Sequence, residues 1–97
     1  MLINNEKLKE IILQVGKEQF KGREFRRRPA MAAVENCIRK MGAWTADDED
    51  ISGSRGLKSK GLALIDWRIS DLKQEGRLLN IGRDRWRLPG GIENAKK

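Results

Sequence analysis

The sequence predicts an α+β domain: a winged helix-turn-helix with three main helices and a C-terminal two-stranded β-hairpin as its wing. Three observations lead there. Three segments repeat apolar residues at intervals of three and four, the signature of helices that each bury one face. The third segment runs into two short apolar stretches separated by Gly82-Arg83-Asp84-Arg85, whose small and turn-prone residues suit a hairpin tip. Finally, 97 residues supply one core and not two. Three helices alone would leave one side of that core open, and an isolated hairpin is marginal, so each is expected to cover the other.

The first helix is expected over residues 4 to about 20, where Leu8, Ile11, Ile12 and Val15 follow an asparagine able to cap the first turn. Gly16 is either its end or an interior position that costs helix stability. The connector Gly22-Arg23-Glu24-Phe25-Arg26-Arg27-Arg28-Pro29 has room for an edge strand at most. Pro29 suits the first turn of a second helix, where a missing N–H goes unnoticed. Ala30, Val34, Cys37, Ile38 and Met41 then keep helical spacing until Gly42 ends it. The lone Cys37 cannot form an internal disulfide and reads as a small core hydrophobe.

From Ala43 to about Ser59 there is no sustained period, and a gap of that length in a small domain is often functional. Trp44 is expected to anchor it to the core, and Thr45 to cap a short turn begun by Ala46 and Asp47. In the third helix Leu62, Ile65, Ile69 and Leu72 form a narrow stripe, stopped by Gly76. Leu78, Leu79 and Ile81 on one side of the tip, and Trp86 and Leu88 on the other, make the hairpin, which Pro89 and two glycines terminate. Residues 1–89 are therefore read as the domain and 90–97 as a polar tail or linker.

Apolar residues make up 38% of the chain and charged ones 36%, enough for a modest core if patterned as above. No apolar run approaches the roughly 20 residues that span a bilayer, so no membrane partner and a cytoplasmic location are expected. With no histidine at all, Ser-His triads, imidazole bases and His-bearing metal sites are excluded, and one cysteine excludes a zinc knuckle. The acidic run Asp47 to Asp50 lacks the glycine and terminal glutamate spacing of a calcium loop. The chain is read as a non-enzyme without metal or cofactor.

A net charge of +7 favours a polyanionic partner. The charge sits at element ends: Arg26, Arg27 and Arg28 before the second helix, Arg55, Lys58 and Lys60 before the third, and Arg83 and Arg85 at the hairpin tip. In a helix-turn-helix the start of the last helix meets base edges while flanking groups hold phosphates. Lys58, Ser59 and Lys60 are therefore the expected groove contacts. Arg83 and Arg85 are expected on the adjacent backbone or minor groove, and Arg26 to Arg28 on phosphates beside the second helix. Trp67 lies off the apolar stripe; packing against the wing or the long loop is favoured over stacking on an unpaired base.

The run Trp67-Arg68-Ile69-Ser70-Asp71-Leu72-Lys73-Gln74-Glu75-Gly76, followed by Leu78 and the strand Arg85-Trp86-Arg87-Leu88-Pro89, resembles the N-terminal winged-helix domain of Mrr-like restriction proteins. The resemblance covers residues 20 to 89. It implies a DNA-recognition module of a defence system, joined to or acting with a separate nuclease domain, in systems that often act on modified DNA. The expected partner is double-stranded DNA, met by one module or by a two-fold pair on a palindrome. The alternatives are a transcriptional regulator, or a protein-interaction winged helix that docks a partner through the third helix or Trp67.

Overall fold

A computed structural model describes residues 1–51 and 59–89. Helix α1 spans Asn5–Glu18, α2 Arg27–Lys40 and α3 Lys60–Gln74, with a single 3₁₀ turn at Asp47–Glu49 between α2 and α3. Strands β1 (Leu79–Gly82) and β2 (Arg85–Arg87) form an antiparallel hairpin after α3. Three helices closed by a hairpin are the winged helix expected from the spacing.

Helices α1 and α3 begin where the local sequence supplies an acceptor. Asn4 caps α1, its side-chain oxygen accepting the Lys7 N–H at 2.8 Å, and Ser59 caps α3 by accepting the Leu62 N–H at 3.2 Å. Helix α2 starts at an arginine that offers no cap. Its acceptor comes from the wing, where Asp84 Oδ1 takes the Arg27 N–H at 3.0 Å. Pro29 is the third residue of α2, within the turn whose N–H groups have no helical partner.

The core is Leu8, Ile11, Ile12 and Val15 of α1, Ala30, Met31, Val34 and Ile38 of α2, and Ile65, Ile69 and Leu72 of α3. Phe25, Ala43, Leu78 and Trp86 complete it from the connectors and the hairpin. Cys37 and Leu62 are only half-buried at its edge, so the inward stripe of α3 runs from Gly61 through Ile65 and Ile69 to Leu72. Gly16 is a buried interior residue of α1. An added Cβ there would lie 3.4 Å from Leu88 and 3.5 Å from Phe25, ordinary van der Waals contacts, so the helix packs against both residues at this point.

The connector is more than an edge. Phe25 and Trp86 form an antiparallel bridge, each N–H donating to the other's carbonyl at 2.8 Å, which ties the segment before α2 to the wing. Within the hairpin Leu79 pairs with Arg87, Asn80 with Trp86 and Gly82 with Arg85, leaving Ile81 as an irregularity on the exposed side. Asp84 turns the tip with φ of 54°, a left-handed conformation that aspartate tolerates better than most residues.

Gly61 is held by space. A Cβ there would come within 2.8 Å of both Asp48 Cβ and the Trp44 ring, contacts that real structures do not contain. Gly61→Ala is therefore expected to destabilise the domain by about 1–2 kcal/mol, overpacking outweighing the helix propensity gained. A shift of the urea midpoint to lower concentration checks this.

Candidate nucleic-acid interface

The basic residues expected to share one surface are divided by the fold. Arg27 and Arg28 in the first turn of α2 meet Arg83 and Asp84 at the wing tip and Lys73 near the end of α3 around one cleft of about 480 Å³. Asn80, Gly82 and Trp86 complete its lining. Arg28, Lys73 and Arg83 are exposed and have no carboxylate partner among the described residues. Arg27 is half-buried. Its guanidinium lies 5.2 Å over the Trp86 ring, and Nη1 is 3.3 Å from Asp66 on α3. This cation stack and ion pair fix the first turn of α2 against both α3 and the wing. Arg26, the residue just before α2, is exposed beside this cleft without lining it.

The remaining expected contacts go elsewhere. Arg85 forms a two-point pair with Glu24, Nε to Oε1 at 2.7 Å and Nη2 to Oε2 at 2.8 Å. That hydrogen bonding raises the arginine's pKa and lowers the glutamate's, so the charge of Arg85 is already matched. Lys60 reaches Asp47 at 3.3 Å and Asp50 at 3.4 Å, and the hydrogen bond to Asp47 is the main cause of its raised pKa. Ser59 is only 8% exposed, its hydroxyl committed to capping α3. Arg55 and Lys58 lie outside the described residues.

A second groove, of about 400 Å³, lies along a neighbouring stripe of α3. It is lined by Met1, Asp47, Asp48, Lys60, Ala63, Leu64 and Trp67, with more apolar than polar surface. Trp67 is 61% exposed and lines this groove beside Asp47 and Asp48 of the long loop, on the side of α3 away from the basic cleft. The reason is angular. One residue along a helix is a rotation of about 100°, and Asp66 faces Arg27 at the start of α2, which turns Trp67 away from that helix.

The floor of that groove is built on Asp48, 1% exposed and the hub of the 3₁₀ turn. Its carboxylate accepts the Thr45 N–H at 2.9 Å and the Thr45 hydroxyl at 3.1 Å, and pairs with the Met1 ammonium at 2.9 Å. Thr45 in turn accepts the Asp48 N–H at 3.3 Å, so the expected cap of this turn is present as a reciprocal pair. Burial pushes the Asp48 pKa up, but the Thr45 N–H, the terminal ammonium and the Thr45 hydroxyl outweigh it and hold it below the ordinary value. A group depressed on folding stabilises above its unfolded pKa of about 4 and loses that contribution as pH falls through the folded one. Asp48→Asn is expected to cost about 1–3 kcal/mol at neutral pH and to flatten the acid limb of the stability curve, read by urea unfolding from pH 7 to 2.

Trp44, half-buried, is held from both sides: Arg39 lies 4.9 Å over its ring and its Nε1 donates to Glu49 at 3.2 Å. With Lys60 bound to Asp47 and Asp50, and Arg39 to Glu49, the acidic run is spent on neighbouring cations. Among the described residues, no group of three or more His, Cys, Asp or Glu stands where it could hold a metal ion. Nor is any described helix long and apolar enough to cross a membrane.

Lys73 is the cleft residue that the charge blocks did not reveal. It sits alone between Leu72 and Gln74, and only its seven-residue separation from Asp66 marks it as sharing a helix face with the partner of Arg27. No protein-family model, curated protein or solved structure matches this chain.

Proposed function

We propose that the chain binds double-stranded DNA without catalysing a reaction, through the face made by the first turn of α2, the second half of α3 and the wing. One observation carries this reading. Arg27, Arg28, Lys73 and Arg83, from three separate elements, converge on one cleft that holds a single carboxylate, Asp84, itself engaged by the Arg27 backbone. Cations gathered on a concave surface at a helix N-terminus suit a phosphate backbone. Ser70 and Gln74 are exposed on the same helix and would face the groove beside them. Docking is therefore centred further along α3 than its first residues, whose Lys60 is occupied by two aspartates.

The likeness of Trp67 to Gly76 to Mrr-like winged helices supports the same reading, with the chain as the recognition part of a restriction or defence protein. Three phosphate contacts, by Arg28, Lys73 and Arg83, give a slope of log affinity against log salt of about −3. Fluorescence anisotropy with a labelled duplex measures it; no binding at low salt would reject the proposal.

A protein-interaction winged helix is the second reading, favoured by Trp67 exposed over an apolar groove with Met1, Ala63 and Leu64. It expects Trp67→Ala to abolish assembly with a partner, whereas the DNA reading expects that variant to keep the salt slope of the parent.

A further inference from the structure

The basic cleft contains two donors that no group among the described residues satisfies. Trp86 is 3% exposed, and its Nε1 is buried without an acceptor. Arg27 Nε, in the side chain stacked on that ring, is likewise buried and unpartnered. A buried donor left without an acceptor costs about 1–3 kcal/mol, so two of them side by side in one small domain call for an acceptor from outside. Both side chains line the cleft, which is where such an acceptor enters.

The surrounding groups define its chemistry. Arg28 comes from one wall, Lys73 from another and Arg83 from the third, so the charge required is negative and the oxygens must point several ways at once. A carboxylate offers two oxygens in one plane. A phosphate presents four oxygens arranged tetrahedrally, two of them non-bridging and charged even in a diester, and so matches donors on three walls better than a planar group. The cleft volume of about 480 Å³ leaves room for the sugar attached to it. Asp84 is the one carboxylate in the lining, its Oδ1 turned to the Arg27 N–H, while Asp66, outside the lining, pairs with Arg27 Nη1 at 3.3 Å.

We propose that this cleft is a phosphate seat, in which the Trp86 indole N–H and Arg27 Nε are the inner donors and Arg28, Lys73 and Arg83 provide the charge. It rests on the DNA reading only for the source of the phosphate, a strand backbone as opposed to a free phosphate or phosphate ester. Binding requires a small outward adjustment of Arg27, since both inner donors are buried.

The test follows the three indole N–H signals in ¹H–¹⁵N spectra of the full chain, with Trp44→Phe and Trp67→Phe identifying the Trp86 signal by elimination. Inorganic phosphate, balanced against chloride at equal ionic strength, is expected to move the Trp86 signal saturably. Arg28→Ala combined with Arg83→Ala is expected to weaken that saturation at least about tenfold while leaving the spectrum that of a folded domain. Duplex DNA is expected to move the same signal at far lower concentration than phosphate. A Trp86 signal indifferent to phosphate and to a duplex that anisotropy shows to be bound overturns the seat and leaves the DNA reading standing. Saturation by phosphate without any duplex binding upholds the seat and overturns the DNA reading.

Discussion

A chain carrying Arg28→Glu together with Arg83→Glu is expected to bind duplex DNA about a hundredfold more weakly than the parent near 0.15 M salt, with its fold intact. Each phosphate contact contributes about fivefold at that salt through counterion release, so losing two costs about twenty-fivefold and the introduced carboxylates add repulsion. The salt slope should flatten by about two units. Both side chains are exposed and without carboxylate partners among the described residues, so the stability change should stay within about 0.5 kcal/mol. Lys60→Glu is the matching control. Its charge is already balanced by Asp47 and Asp50, so reversal should repel those carboxylates locally and change affinity much less. Anisotropy titrations at three salt concentrations, beside urea unfolding, separate the two effects.

Trp86→Ala is expected to destabilise the domain by about 3–5 kcal/mol, the range for emptying a large buried aromatic site. Three connections end at this residue. Its backbone makes both hydrogen bonds of the bridge to Phe25, its ring carries the Arg27 guanidinium at 5.2 Å, and 97% of its surface is withdrawn from solvent against the core. Small domains are stable by only about 5–15 kcal/mol, so the variant should unfold at much lower urea, with loss of near-ultraviolet dichroism well before the parent. A cost under about 1 kcal/mol would mean that the wing is an appendage and not a wall of the core. Trp86→Phe should retain most of the packing, which makes it the gentler probe of the indole N–H itself.

The helices were legible because their signals are local. Leu8, Ile11, Ile12 and Val15, or Ile65, Ile69 and Leu72, announce one buried face by spacing alone, and Asn4 announces where the first helix starts. The wing was legible from its tip. What the spacing could not reveal lies between elements distant in sequence. Phe25 reads as part of a charged connector, yet it pairs with Trp86, 61 positions later. Asp84 reads as a turn residue and serves as the acceptor for a helix that begins at Arg27.

The same limit governs the site. Arg83 and Arg85 are two residues apart, a spacing that would share one face within a strand, but Arg83 lies in the turn before β2, where Asp84 takes a positive φ, and it lines the cleft while Arg85 reaches Glu24. Lys60 looks like the first contact of a reading helix until Asp47 and Asp50 fold back on it. Charge blocks in a sequence identify the sign of a partner; which of those charges are spent internally depends on the carboxylates that tertiary structure brings to them. Of the expected contacts, Arg27, Arg28 and Arg83 share the cleft, and Lys73 joins them from a part of α3 that carries no charge block.

Backbone amide mapping decides where a duplex sits. On adding a short duplex to the ¹⁵N-labelled chain, the shifts should concentrate on residues 26–28, on Asp66 to Gln74 and on Asn80 to Trp86, with the stretch from Met1 to Ile3 and the turn at Asp47–Glu49 unmoved. Shifts confined instead to Met1, Ala63, Leu64 and the acidic turn would place the ligand in the apolar groove and contradict a basic cleft that grips phosphate.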